Sequence, residues 1–434
     1  MTVSPAAANQ PILLRGAKVI DPSGARTADV LIEGNTITAV GTALDVRSDA
    51  LVIDVAGCIV STGFVDLHTH LREPGNEDAE TIATGSRGAA LGGFTAVLAM
   101  PDTTPAVDTA STVREILYLA RDASCTVQPV GAITHQRRGE RLADMAEMAA
   151  LGVSVFTDNG RPVANSAVMR RAMEYARGLG VTLAQHCEDP ALAANGVMHE
   201  GEWSSRLGLP GLPAVAEELM VQRELALSKL TGARIHLQHL STARSVELVR
   251  EAKAAGLAVT AEASTHHFTL THDDCGSFDP VFRVSPPLRP ADDAAAIRVG
   301  LADGTIDAIA TGHAPHTSDF KELPFDQAPP GMLGLETAFA LALTELDVPI
   351  ERLLDMLSWR PAKIAGLARH GRAMAPGEPP DLCVIDPAAT WTVAGAAMAS
   401  LSRNTPYEGR SLSGRVRHTI HEGVLVVFEG QAQQ

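Results

Sequence analysis

The chain has 434 residues, 45 % of them hydrophobic and 20 % charged, with a formal net charge of −16. That length exceeds one simple core and predicts a large domain of about 250 to 300 residues with a smaller companion. An acidic chain with no basic face and no apolar run near the roughly 18 residues of a membrane span excludes nucleic acid and membrane as partners, which leaves a small molecule and a cytoplasmic location as the expectation.

The opening residues, MTVSPAAANQ, lack the basic start and apolar segment of a signal peptide and read as a loose tail. Residues 12 to 60 alternate in short strand-like bursts, ILLRGAKVI, ADVLIEG and TITAVG, separated by Gly, Asn, Asp and Pro. Comparable bursts, DLCVIDP, TWTV and VRHTIHEGVLVVFEG, return after the proline- and glycine-rich joint AMAPGEPPD. The two ends are therefore expected to pair as one small β domain, residues 1–60 with 371–434, around a central domain of residues 61–370.

The central domain holds eight β-like runs: FVDLHTH, FTAVLAMP, VQPVGAITH, VSVFTDN, TLAQHCED, ARIHLQHLS, LAVTAEASTHH and DAIATGHAPH. Between them lie helical candidates that stop at glycine, such as ADMAEMAALG, AVMRRAMEYARGLG and SVELVREAKAAG. Such alternation predicts an α/β fold, a (β/α)8 barrel with a small β-sandwich domain built from both termini; an open doubly wound sheet is the alternative. The barrel is favoured by the run ends, which carry His68 and His70, Asp102, His135, Asp158, His186, His239, His266 and His267, then His313 and His316. In a barrel such ends converge on one mouth.

His68 and His70 stand two apart on a strand, so both face the same way and can reach one ion. With His186 and His239 they place four imidazoles in the mouth, a donor set suited to zinc, and Asp158 is placed to bridge. None of the five lysines lies at a strand end, so a carboxylated-lysine bridge is excluded. The five cysteines, Cys58, Cys125, Cys187, Cys275 and Cys383, form no C-x-x-C pair and read as reduced thiols.

GFVDLHTHLREPG, GGFTAVLAMPDTTP, FTDNG, QHCED, EGEWSSRLGLPGLPAVAEE, PPLR and HAPH resemble, in order, the motifs of the bacterial class I dihydroorotases of the amidohydrolase superfamily. The resemblance runs from about residue 12 to 428. It implies a metal-dependent barrel that interconverts N-carbamoyl-L-aspartate and L-dihydroorotate in pyrimidine synthesis, and RLGLPG favours this over hydantoinases or allantoinases. It further implies two zinc ions, one on His68 and His70, the other on His186 and His239, bridged by Asp158. Arg72 would grip the substrate carboxylate with help from His316, and the loop FKELPFDQAPPGMLG would close over the ligand. A homodimer or a complex with aspartate carbamoyltransferase is the implied assembly.

Three positions depart from the family pattern. Asp102 stands where the family commonly has the asparagine of PNT, and Ser285 where it has that of NPPLR, both at substrate-binding positions. Gly312 replaces the aspartate of TDHAPH, which in the family ligates the first metal and shuttles the proton. Asp319 is the nearest replacement in sequence. The loss of the acid/base leaves a crippled enzyme or a non-catalytic structural homologue as the alternative to an active dihydroorotase, and Ser285 alone points to another cyclic amidase.

Overall fold

The computed structural model describes residues 10–433, so the expected N-terminal tail, residues 1–9, lies outside the described residues. Eight parallel strands, Phe64–Thr69, Phe94–Ala99, Thr126–Pro129, Val155–Phe156, Thr182–His186, Ile235–Gln238, Val259–Ser264 and Ala308–Ala310, alternate with helices. The first three pair with one another, as do the last five. Parallel bridges Gly131 to Phe156 and Thr69 to His313 join the two runs at both seams. The sheet therefore closes on itself, which decides for the barrel over the open sheet.

Period-two alternation fills it. Leu67, Leu98, Val130, Val155, Ala184 and Ala308 pack together inside. On the outer side Phe64 meets Phe94 edge-on at 5.5 Å between ring centroids and stacks on Phe339 at 5.6 Å, beneath the helices. Helix Ser166–Leu179 starts where the Asn165 side chain accepts the Ala167 and Val168 N–H groups, and it stops at Gly180. The helix expected over residues 143–152 is only Met145–Ala149, because the Val153 N–H folds back onto the Met148 carbonyl and ends it.

Both chain ends pair in one nine-stranded sheet, in which Leu382–Thr392 lies beside Ile59–Thr62 and that strand beside Ile12–Asp21. Ile59–Thr62 runs just past the expected boundary at residue 60. The sheet has its own core of Leu14, Val19, Val30, Ile53, Val60, Val384 and Ile420. All five cysteines are buried and free. Among the described residues no helix is long and apolar enough to cross a membrane.

Where barrel and sheet meet, Glu336 accepts the Ala399 N–H at 2.8 Å. Burial pushes its carboxyl up from 4.5 to about 7, and the nearby Glu80 adds to the effect. The folded protein thus binds this proton more tightly than the unfolded chain. The contribution is complete below about pH 4.5 and is lost as pH rises through about 7. Glu336→Gln, which mimics the protonated acid, is expected to raise the melting temperature at pH 8 and leave it nearly unchanged at pH 5. Thermal melts at the two pH values check this, and equal shifts at both would contradict it.

Candidate active site

At the C-terminal ends of the barrel strands lies a cavity of about 280 Å³. Its wall includes His68, His70, His186 and His239 together with Arg72, Asp102, Ser285, Gly312 and His316. Of the expected metal and substrate residues Asp158 alone is not among its lining, and of the other strand-end residues His135, His267 and His313 are absent from it as well.

The four imidazoles form a continuous row. Ring centroids are 5.5 Å apart for His68 and His70, 5.1 Å for His68 and His239, and 4.6 Å for His186 and His239. Carboxylates behind two of them fix the rings. Glu262 Oε1 meets His68 Nδ1 at 2.9 Å while its Oε2 meets His236 Nε2 at 3.1 Å. Burial opposes the charge on Glu262, yet the hydrogen bonds of His236 and His68 hold it down to about 2. Asp102 Oδ1 meets His70 Nδ1 at 2.8 Å. A carboxylate on Nδ1 leaves Nε2 as the free lone pair, the arrangement of metal-binding histidines. Burial pushes His70 down to about 4 and, with His186 and His68, pushes His239 well below its ordinary value, so both are neutral at pH 7. His239 Nδ1 is buried without a partner.

In kind, then, these donors fit a divalent ion. They do not form a closed cage: among the described residues no group of three or more His, Cys, Asp or Glu side chains is arranged to hold one. The expected bridge is not aimed at them either. Asp158 Oδ1 accepts the N–H groups of Ile133 and Thr134 at 2.8 and 3.0 Å, and its other oxygen accepts the Thr134 hydroxyl. Val155 packs in the barrel interior and Thr157 bonds inward to Gln238 Oε1 at 2.9 Å, so alternation turns Asp158 away from the axis and brings Asn159 in. The Asn159 amide lies 3.4 Å from His70 Nε2.

Arg72 extends across the mouth at φ +63. Its NH1 donates to Asp102 Oδ2 at 2.9 Å and its Nε to the Pro315 carbonyl at 3.1 Å, while NH2 is 3.4 Å from His316 Nε2. Burial works against a charged Asp102, but His70 and Arg72 hold its carboxyl well below the usual carboxylate range. Burial, with the positive charge of Arg72, pushes His316 down to about 3. Ser285 is exposed at the rim, 3.5 Å from Glu188.

Gly312 lines the cavity at φ +61. A Cβ there would come within 2.8 Å of Ser264 Oγ and His266 Cε1. Asp319 is exposed on the short helix Ser318–Lys321 and is no replacement. The loop expected to act as a lid lies against the mouth through Pro330 and Gly331, and Lys321 ties it down by donating to the carbonyls of Pro280 and Pro329 at 2.9 and 2.8 Å. Other strand-end residues serve the frame: His135 bonds Asp108 at 2.9 Å, His267 the Pro286 carbonyl at 3.0 Å, and His313 Glu80 at 3.3 Å. No lysine lines the cavity.

Residues 57–245 match the model of the family "Dihydro-orotase-like". Across 431 residues the chain is 47 % identical to a dihydroorotase of Anaeromyxobacter dehalogenans, covering 98 % of this chain and 99 % of that one. Across 426 residues it is 46 % identical to a dihydroorotase of Streptomyces coelicolor, covering 96 % and 99 %.

The chain belongs to the dihydroorotase family.

Its fold is that of the hydantoinases as well. An L-hydantoinase from Arthrobacter aurescens superposes with a TM-score of 0.88 at 23 % identity over 98 % of both chains. A D-hydantoinase from a Thermus species gives 0.84 at 24 %, over 97 % of this chain and 96 % of that one. The mouth also holds arginines that the sequence does not mark. Arg137 and Arg161 join Arg72 in the wall, facing Asp102 as the one carboxylate. Glu262, behind His68, was also missed. The signal for Asn159 and Glu262 was available in the period-two count; nothing in the sequence marks Arg137, which stands outside any strand.

Proposed function

We propose that this chain is a dihydroorotase acting at the barrel mouth on N-carbamoyl-L-aspartate and L-dihydroorotate in pyrimidine biosynthesis, with zinc at His68, His70, His186 and His239. The observation that carries the reading is near full-length identity of 46–47 % to dihydroorotases. Zinc bound there would polarise the ring carbonyl and acidify its water. The protein's own part is recognition. Arg72, aligned by Asp102, presents its remaining N–H groups to the substrate carboxylate, neutral His316 stands beside it, and Pro330 and Gly331 narrow the access of water. What the side chains lack is a proton carrier at residue 312. Asp102 cannot take the role, because its charge is held by His70 and Arg72. Loss of such a group costs about 10²- to 10⁴-fold in rate, so slow turnover is expected.

Gly312 and Asn159 favour a second reading, a homologue that binds but does not turn over and serves a structural role with aspartate carbamoyltransferase. One experiment separates the two: dihydroorotate ring opening, hydantoin ring opening and zinc content measured on the same folded preparation. Turnover of dihydroorotate supports the first reading and binding without turnover the second. Turnover of hydantoin alone would sink both.

A further inference from the structure

The charge in the mouth does not balance. Arg72 has its counterion in Asp102, but among the described residues neither Arg137 nor Arg161 forms an ion pair, although both line the same cavity. Arg137 NH1 donates to the Asn159 carbonyl at 2.6 Å, and its Nε is buried with no partner at all. A guanidinium cannot shed its charge to relieve that situation; burial and the charges of Arg161 and Arg72 weigh against it, and the more distant Asp102 and Asp158 offset them only in part. An arginine kept only to anchor the Asn159 carbonyl would gain nothing from a buried, unsatisfied donor.

Backbone geometry adds an independent observation. Arg137 has φ +53 and the preceding Gln136 φ +52, while Arg72 has φ +63. Left-handed φ is uncommon for non-glycine residues and persists where the surroundings impose it, often at binding sites. Two of the three arginines in the wall are thus held in unfavourable backbone conformations that direct them to one cavity.

We infer that the mouth is a dicarboxylate pocket with two anionic poles, in which Arg72 takes one carboxylate and Arg137, with Arg161 at the rim, takes the other. This rests on the substrate class proposed above and deepens it. N-carbamoyl-L-aspartate carries two carboxylates, whereas in L-dihydroorotate one of them has become a ring amide carbonyl. The pocket therefore holds the open compound in preference to the ring, and does so through its own cations, without a metal.

The test is calorimetric titration of the folded protein, as purified and after chelation, with N-carbamoyl-L-aspartate, L-dihydroorotate, succinate and butyrate. The expected result is that N-carbamoyl-L-aspartate and succinate each bind about tenfold or more tightly than their monocarboxylate counterparts, before and after chelation. Arg137→Gln should remove the difference, and Arg137→Lys should keep part of it; melting curves establish that both variants fold. Equal affinity for di- and monocarboxylates, no binding by the chelated protein, or an undiminished difference in Arg137→Gln would each overturn the inference. Absence of turnover with the dicarboxylate preference intact would sink the catalytic reading and leave this one standing.

Discussion

Introducing two carboxylates through Asn159→Asp and Gly312→Asp is expected to raise dihydroorotate turnover by about 10²-fold or more. The warrant is the position of the two residues. Asn159 already places its amide 3.4 Å from His70 Nε2, so the isosteric acid would stand among the imidazoles where Asp158 does not. Gly312 is beside Ser264 and His266 on the other side of the same cavity. A carboxylate there could take a proton from water and return it to the ring nitrogen. The cost is visible too. A Cβ at residue 312 would meet Ser264 Oγ and His266 Cε1 at 2.8 Å, and φ +61 disfavours any side chain by about 1–2 kcal/mol, least for Asp and Asn. Both contacts are side-chain atoms that can turn aside, so the double variant is expected to fold with a lowered melting temperature and to bind more zinc than the parent. Turnover and zinc per chain on the same preparation check this. A folded, metallated double variant no faster than the parent would show that the missing carboxylates are not the defect.

Period and turn chemistry made the barrel legible. Eight runs with polar ends mark a parallel barrel, and His68, His70, His186 and His239 do line one cavity. The rule that placed His68 and His70 on one face would also have turned Asp158 outward and Asn159 inward, had it been counted from Val155 and Thr157. There the motif outweighed the count. Arg137 was illegible for a different reason: it reaches the mouth from a turn between elements, and a turn's direction depends on contacts far away in sequence, such as the one to the Asn159 carbonyl. The segment expected to close over the ligand does reach the mouth through Pro330 and Gly331, but its tether through Lys321 to the Pro280 carbonyl is a long-range contact that no local pattern announces.

Arg72→Lys is expected to weaken dihydroorotate binding by about 10- to 100-fold, whereas Asp102→Asn is expected to strengthen it. A planar guanidinium donates at once to Asp102, to the Pro315 carbonyl and toward the ligand, and an ammonium cannot hold those directions together. Losing a charge-assisted bond of this kind costs about 1.5–3 kcal/mol, which is the stated loss of affinity. Asp102 pulls the other way, since it competes with the substrate carboxylate for Arg72 and sets a negative charge beside an anion. Removing that charge while keeping the oxygen that faces His70 Nδ1 should release NH1 to the ligand. Titration calorimetry on both variants, with melting curves to confirm folding, reads the two signs directly. If both variants bind more weakly, Asp102 acts chiefly by holding Arg72 in its left-handed backbone conformation and aiming it, and the competition is the smaller effect. If Arg72→Lys binds as tightly as the parent, the carboxylate is gripped elsewhere in the mouth, and Arg137 is the side chain already in place to do it.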